Sequence, residues 1–189
     1  MNIRNLRKNK EEGLTPAPAE EKQYLTFTLN QELFAVIIHN IKEIIEYAGV
    51  TEVPLMPQFM HGVINMRGAV VPVIDLAVRF GKSSSKIGRR SCVVILEVFF
   101  AGEYHDIGVL VDSVNEVIEI PASRVEPPPE FGAKVRSEFI AGIGSINDKF
   151  VIILDVNHAL SLGEMADLVD ENVHLSLEHH ANSDSRETQ

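Results

Sequence analysis

The sequence has no tryptophan, a single cysteine and no apolar run long enough to cross a membrane. One cysteine excludes an intramolecular disulfide framework and any cysteine-rich zinc site. A membrane-spanning helix needs about 18 consecutive apolar residues, and no stretch approaches that length. The basic start, residues 1–7, is not followed by the apolar stretch of a secretory signal. These absences predict a soluble, intracellular protein without direct membrane insertion.

The sequence also contains fewer basic than acidic residues. The chain carries 27 acidic residues against 17 lysines and arginines, for a formal net charge of −10. Binding a nucleic acid backbone requires clustered Lys and Arg side chains. Aromatic residues make up only 6% of the chain, which leaves few platforms for stacking bases. Nucleic acid is therefore not an expected partner.

The usual signatures of catalysis and cofactor binding are missing. No Gly-x-x-x-x-Gly-Lys-Ser/Thr or Gly-x-Gly-x-x-Gly motif is present, and Ser145 lacks the context of a nucleophile elbow. Among the histidines only His174, His179 and His180 cluster, in a polar region unsuited to the rigid shell of a metal site. Cys92 lies in an apolar run, which favours a buried, unreactive thiol. We expect no catalytic residues, no cofactor and no metal, and hence a binding or scaffold protein.

Most of the regular patterns in the sequence are those of β-strands. Alternating runs rich in β-branched and aromatic residues, bounded by turn residues, predict β-strands. These runs are 24–29, 33–37, 62–66, 69–74, 92–96, 107–111, 139–143 and 150–154. The turns between them contain residues that tolerate positive φ angles, at 30–31, 67–68, 102 and 147–148.

Helices are expected to be few. The predicted helices are short segments at 40–45, 76–80 and 156–160 and a longer one near 164–173. Asp75 and Asp155 each precede one of the short helices, which is the position of an N-cap. The serine-rich loop 83–86 is a candidate boundary between two halves of the chain.

A weak internal repeat supports this division. Residues 62–75 align with 142–155 at a constant offset of 80, each copy running from a glycine through a hairpin to a capping aspartate. A second block, 36–46, aligns with 109–119 and places Glu43 opposite Glu116. Chance similarity between apolar strands is the alternative, but two blocks in the same order make it less probable. Short strands joined by short turns in each half predict two similar small β-barrels.

The domain organisation follows from composition. Residues 1–21 are polar and contain two prolines near their end, which predicts a flexible N-terminal segment. Residues 22–163 form the folded body. Residues 164–189 carry seven acidic residues and one arginine, and are expected to form a C-terminal helix and an acidic disordered tail.

Arg67 is the strongest candidate for recognition. It occupies a hairpin tip beside Gly68, where a guanidinium can be held out for a partner carboxylate. The alternatives are a solvated tip arginine, or a structural bridge within the chain to Glu43 or Asp75. Glu43 and Glu116 lie within apolar runs, where the polar face of a short amphipathic segment would also account for them.

One string of residues is specific to a known family. Residues 62–76 fit the pattern Gly-Val-x-Asn-x-Arg-Gly-x-x-x-Pro-x-x-Asp-Leu, and further matches run through Gly108, Gly142 and Asp155. The chain resembles, from about residue 23 to 162, the family of the bacterial chemotaxis coupling protein CheW. One departure is the hairpin around 98–104, which looks longer than is usual in that family.

The resemblance implies a mostly β fold of two SH3-like five-stranded barrels with short helices. It implies a non-enzymatic adaptor that links the cytoplasmic tips of chemoreceptors to the regulatory domain of the histidine kinase CheA. Such an adaptor is cytoplasmic and is recruited to membrane receptor arrays. The resemblance places partner binding, along the groove between the barrels, at Ile41, Glu43, Arg67 and Val117. It assigns motif and structural roles to Gly62, Gly68, Gly108, Gly142, Asp75 and Asp155.

Two other functions compete with this one. The same adaptor module could serve a non-flagellar pathway, such as pilus-based motility or another kinase-controlled output. The chain could also be a fragment of a larger kinase or receiver fusion. The sequence argues against the fragment, because no ATP-binding region or phospho-acceptor domain flanks the module.

Overall fold

Two β-sheets account for most of the structure across residues 21–128 and 135–167, which are the residues that the computed structural model describes. The strands are β1 Glu21–Leu29, β2 Glu32–Ile37, β3 Ile41–Glu46, β4 Met60–Met66, β5 Ala69–Asp75, β6 Cys92–Phe100, β7 Glu103–Val111, β8 Ser113–Pro121, β9 Val125–Glu126, β10 Ile140–Ile146 and β11 Lys149–Leu154. The short helices are α1 Leu76–Arg79 and α2 Val156–Ala159, and residues 162–167 are also helical. The expectations for residues 1–20 and 168–189 lie outside the described residues. No helix in the described part of the chain is long and apolar enough to cross a membrane.

Each sheet forms one SH3-like subdomain. The inner subdomain is a five-stranded sheet in the order β3-β6-β7-β5-β4, so it is built from the contiguous stretch 41–111. The outer subdomain is a six-stranded sheet in the order β8-β1-β2-β11-β10-β9, so it combines strands from both sides of that stretch. The predicted mostly β fold with two subdomains and short helices is confirmed.

The division of the chain at 83–86 is wrong. That loop lies within the inner subdomain, between α1 and β6, and does not separate the sheets. The repeat itself is visible in the topology, because β3, β4 and β5 occupy the places in the inner sheet that β8, β10 and β11 occupy in the outer sheet. The repeat units therefore exchange strands, and neither barrel corresponds to one half of the sequence.

Closure of the barrels is incomplete. In the outer subdomain the two edge strands, β8 and β9, are consecutive segments joined by a 3-10 turn at Ala122–Arg124. In the inner subdomain the chain beyond β3 returns to β4 through one isolated bridge between Thr51 and Val63. Each sheet thus curls until its edges meet, but its strand ladder does not run around the full ring.

The segment predicted as a helix at 40–45 is strand β3. It pairs antiparallel with β6, and its residues alternate between half-buried and exposed. The apolar residues Ile41, Ile44 and Ile45 have a spacing that suits a helix, but the open edge of β6 gives their β-branched side chains a pleated surface. Tertiary pairing therefore overrides the local pattern.

Three apolar clusters fill the molecule. One lies inside the inner subdomain around Val73 and Leu110, and a second inside the outer subdomain around Ile120 and Ile153. The largest cluster draws residues from both sheets and from both short helices, with Leu76 and Val156 among its members, and we call it the inter-subdomain core. Because this core is shared, the two subdomains bury a common surface.

Asp75 and Asp155 both occupy N-cap positions. The Asp75 carboxylate accepts hydrogen bonds from the backbone of Ala77 at 3.0 Å, and the Asp155 carboxylate accepts one from His158 at 3.1 Å. Asp75 is buried and also accepts hydrogen bonds from Ser84 and Ser85. Asp75 thus pins the 83–86 loop as well as starting α1.

Candidate partner-binding surface

Arg67 stands at the tip of the β4–β5 hairpin. Arg67 and Gly68 have φ angles of 51° and 88°, as a two-residue hairpin turn of the right twist requires. The Gly68 amide donates a hydrogen bond to the Asn65 side chain at 3.0 Å, which closes the turn. The Arg67 side chain is 82% exposed. The turn is therefore well defined while the guanidinium remains open to solvent.

The guanidinium of Arg67 has a partner within the chain. Its Nη2 donates a hydrogen bond to Oε2 of Glu43 on β3 at 3.0 Å. Because β3 and β4 are the two edge strands of the inner sheet, this ion pair spans the gap where the ladder is interrupted. Of the two internal partners considered from sequence, the structure selects Glu43, since the carboxylate of Asp75 faces the α1 cap and the 83–86 loop.

Gly62 lies on β4 and allows the segment that follows β3 to approach this strand closely. Its φ is +153°, and a Cβ at this position would lie 2.6 Å from the Thr51 carbonyl oxygen and 2.7 Å from a Val50 methyl. Gly142 holds the equivalent place in the outer subdomain, where a Cβ would lie 2.4 Å from Val125 Cγ1. Both glycines let a crossing segment pack directly on the strand.

Gly108 has a similar role inside the inner subdomain. A Cβ there would lie 2.7 Å from Val93 Cγ1 and 3.2 Å from Val73 Cγ2, which are side chains of the neighbouring strands. This glycine therefore shapes the interior of the subdomain and does not face a partner. Its contribution to any binding surface is indirect.

Ile41 is not freely available for contact. Its side chain is half-buried and packs against the inter-subdomain core. The exposed apolar residue of β3 is Ile44, which keeps 42% of its surface in contact with solvent. Sequence reasoning missed Ile44, although the internal repeat could have found it, because Ile44 and Val117 occupy equivalent positions.

Val117 lies on β8, the edge strand of the outer subdomain. It is 54% exposed and is opposite Leu25 of β1 in the ladder. Glu116 is exposed beside it and corresponds to Glu43 in the repeat. The two edge strands thus present the same pair of residue types, a glutamate followed by an exposed aliphatic side chain, one pair on each subdomain.

A second charged group borders the Arg67–Glu43 pair. Lys42 Nζ donates hydrogen bonds to both carboxylate oxygens of Asp106, at 2.8 and 2.9 Å, and lies 3.9 Å from Glu97. The hydrogen bond to Asp106 raises the pKa of Lys42. Lys42 therefore stays charged at physiological pH, and its ammonium group pairs with Glu97 of β6 and Asp106 of β7.

Further apolar groups are exposed on the hairpins. Val70 on β5 and Phe150 on β11 are repeat equivalents and are 70% and 75% exposed. On the β6–β7 hairpin, Phe99 and Tyr104 are exposed and pack ring against ring at 5.0 Å. Exposed aromatic and aliphatic groups of this size are typical of protein contact surfaces.

Metal-ligating side chains do not gather at this surface. Within residues 21–128 and 135–167, no group of three His, Cys, Asp or Glu residues is placed to hold a metal ion. The arrangement consists of one bridging ion pair, exposed aliphatic side chains and exposed rings. Its chemistry suits contact with another protein.

Comparison with known proteins gives a consistent result. A family model described as the CheW-like domain matches residues 23–164. A protein named Chemotaxis protein CheW from Klebsiella aerogenes is 34% identical over 149 residues, which cover 79% of this chain and 87% of the relative. Protein FrzA from Myxococcus xanthus is 30% identical over 142 residues, covering 74% and 86% of the two chains. The crystal structure of the scaffolding protein TtCheW from Thermoanaerobacter tengcongensis superposes with a TM-score of 0.66 at 33% identity, covering 78% of this chain and 91% of that one.

Proposed function

This chain belongs to the CheW-like domain family, and we propose that it is a non-enzymatic adaptor coupling the cytoplasmic tips of chemoreceptors to the regulatory domain of the histidine kinase CheA. The observation that carries the proposal is the family match over residues 23–164, which includes both subdomains. The related protein of known structure is described as a scaffolding protein. In the cell, the chain would act in the cytoplasm and be recruited to membrane receptor arrays.

An adaptor requires two separate contact surfaces. For the receptor we propose the edge strands β3 and β8, which carry Ile44 and Val117 as exposed aliphatic groups and Glu43 and Arg67 as a fixed ion pair. These residues lie on different subdomains. A helical receptor tip would therefore contact both subdomains at once, and Ile41 would support the surface from below.

For the kinase we propose the hairpin of the outer subdomain. Phe150 is 75% exposed, the largest exposed fraction of any large apolar residue within 21–128 and 135–167. A protruding aromatic side chain of this kind can insert into a pocket on a partner and provide a large share of the binding free energy. The surface is distinct from that proposed for the receptor, so both partners could be held together.

We also propose that the functional module comprises residues 22–163, as drawn from sequence, together with the helical residues that follow. Residues 162–167 are helical, and Met165 within them is buried in the inter-subdomain core. The folded module therefore extends at least to residue 167, a few residues beyond the boundary drawn from sequence.

Reconstitution with receptor-bearing vesicles tests this function. Vesicles displaying a chemoreceptor cytoplasmic fragment are mixed with CheA, with and without this chain, and sedimented. We expect CheA to sediment in far greater amount when the chain is present. The Gly88→Ala variant should sediment CheA as the parent does, because Gly88 is exposed and an added Cβ has no atom within 4 Å. Absence of binding to both receptor and kinase would contradict the proposal.

A second candidate is the same adaptor in a non-flagellar pathway. The observation in its favour is that one relative with 86% of its length covered bears the name Protein FrzA and not CheW. Deleting the gene in the source organism and measuring swimming and surface motility separates the two. Loss of swimming alone supports the flagellar pathway, whereas loss of surface motility alone supports the alternative.

A further inference from the structure

One arginine joins the two copies of the internal repeat. Arg79 ends α1, and its repeat equivalent at the end of α2 is Ala159. The Arg79 Nε donates a hydrogen bond to the carbonyl of Ala159, 80 residues away, at 3.1 Å. Arg79 therefore bonds to the residue at its own equivalent position in the other repeat.

The guanidinium lies against two equivalent rings. Its central carbon is 4.7 Å from the ring centroid of Phe139 and 5.5 Å from that of Phe59. These phenylalanines are again 80 residues apart, and their carbonyls accept equivalent hydrogen bonds from the amides of Asp155 and Asp75. Cation–π contact with one ring from each repeat places the charge between the subdomains.

Glu164 completes the surroundings of Arg79. The two carboxylate oxygens of Glu164 accept hydrogen bonds from Nη2 and Nη1 of Arg79, at 2.9 and 3.4 Å. Arg136 also donates to Glu164 at 2.9 Å. The Arg79 side chain is only 5% exposed, so its charge depends on this partner. Glu164 belongs to the helical residues 162–167, whose first turn is held by the Ser161 side chain.

The contacts of Arg79 differ in kind from those of the inter-subdomain core. The inter-subdomain core is mainly apolar. Burial of apolar surface stabilises the packed state but is non-directional, so it does not by itself fix the relative orientation of the two sheets. A planar guanidinium has a fixed fork of donors, and its bidentate pairing with a carboxylate tolerates little rotation. The orientation of the two sheets is thus constrained at Arg79 more sharply than by the core around it.

We propose that Arg79, held by Glu164, is a positioning residue that fixes the angle between the inner and outer subdomains. It thereby sets the spacing between the Glu43–Arg67 pair on one subdomain and Val117 on the other. This inference rests on the proposed function, because the shared receptor surface is what the angle would control. Neither Arg79 nor Glu164 is placed to touch the receptor in this arrangement.

The test begins with the chain alone. Spin labels are attached at Ala69→Cys and Lys149→Cys, exposed repeat-equivalent positions on the two subdomains, in a Cys92→Ser background. Pulsed electron paramagnetic resonance then reports the distribution of label distances. We expect a narrow distribution for the parent and a broader or shifted one for Arg79→Met and Glu164→Gln. Arg79→Lys, which keeps the charge but loses the fork, should not restore the parent distribution.

Lys82→Met is the matched control. Lys82 also forms an ion pair between the subdomains, with Glu32 of β2, but through a single ammonium group without a planar fork. We expect its label distances to match those of the parent. An equal broadening in Lys82→Met would overturn the specific role of Arg79, and so would an unchanged distribution in both Arg79→Met and Glu164→Gln.

Affinity for a receptor fragment is measured next, at temperatures where each variant is folded. We expect Glu164→Gln and Arg79→Lys to bind about fivefold or more weakly, the lower range of coupling between separate sites. Reduced stability with parental distances and parental affinity would make Arg79 a stabilising residue only and refute the inference. If the parent itself binds no receptor fragment, the proposed function fails, while the distance measurement still decides the role of Arg79.

Discussion

Arg67 and Glu43 form a 3.0 Å ion pair between the β4–β5 hairpin tip and the opposite edge strand of the same sheet. The pair bridges the two edges where backbone pairing is reduced to the Thr51–Val63 bridge. A surface ion pair with one side chain 82% exposed contributes only about 0–1 kcal/mol to folding. The pair therefore contributes more to holding a defined surface than to the free energy of folding.

Arg67→Ala is expected to weaken partner binding more than folding. The free energy of unfolding should fall by no more than about 1 kcal/mol, because the ion pair is exposed. The binding free energy for a receptor fragment should weaken by about 2 kcal/mol, as for an anchoring arginine at an interface. Urea midpoints and binding titrations, with Arg67→Lys as a charge-preserving control, check this.

The double variant with Glu43→Ala identifies how Arg67 acts. If Arg67 contacts the partner directly, the double variant loses more affinity than Glu43→Ala alone. If Arg67 only holds Glu43 in place, the double variant and Glu43→Ala lose the same affinity. Unchanged affinity in Arg67→Ala, or a stability loss as large as the affinity loss, would contradict the recognition role.

Phe150→Ser and Val117→Ser should have opposite binding defects. Both side chains are more than half exposed, so we expect stability changes within about 0.5 kcal/mol. Phe150→Ser should weaken binding to the kinase regulatory domain and leave receptor binding intact, whereas Val117→Ser should do the reverse. Titrating each variant against each partner gives the result. A variant that weakens both interactions equally would show that the two surfaces are not separate.

Gly142→Ala should destabilise the fold. The added methyl group would lie 2.4 Å from Val125 Cγ1 and 3.0 Å from the Glu126 carbonyl oxygen, so β9 must move away from β10. Overpacking of this kind costs about 1–3 kcal/mol. Thermal melts alongside Gly88→Ala, where the added group meets nothing within 4 Å, provide the comparison. Equal melting temperatures for the two variants would disprove the close approach.

Stability should depend on the ionisation of Glu164. The hydrogen bond from Arg79 lowers the pKa of Glu164 below its ordinary value of 4.5, and Arg136 adds to this effect. Because the folded state has the lower pKa, the stabilisation is present above pH 4.5 and is lost as the pH falls through the folded pKa. Glu164→Gln should therefore be less stable than the parent at pH 7, and the gap should narrow at pH 3. Urea midpoints across this range measure the gap, and a constant difference would rule out the linkage.

Features that depend on neighbouring residues could be predicted from the sequence. The tip at Arg67-Gly68 contains a glycine, which suits a positive φ angle, and the structure has a two-residue hairpin turn there. The aspartates before α1 and α2 cap the helices because a carboxylate at that position meets free backbone amides without help from the rest of the fold. The repeat at an offset of 80 was likewise legible as a pattern of strand, turn and cap.

Features that depend on residues distant in the chain could not be predicted from the sequence. Nothing within residues 41–46 reveals that β6 leaves an edge open for them, so their helical spacing was misleading. The exposure of the candidate residues was only partly predicted, since Ile41 packs against the core and Ile44 is the exposed isoleucine of β3. Whether a given isoleucine on an edge strand points inward is decided by the register of pairing, which one bulge between Ile41 and Glu43 alters.

The sequence alone determined that the chain folds from short strands in two related units, because turns, caps and alternating apolar residues are local requirements of the backbone. Only the tertiary structure decided how those units combine. The exchange of strands between repeats, the Arg67–Glu43 pair across a sheet opening and the burial of Arg79 between Phe59 and Phe139 all join residues far apart in the chain. The contacts of Arg79 form because the apolar faces of both sheets must be buried together, and that shared burial selects which charged side chains meet between them.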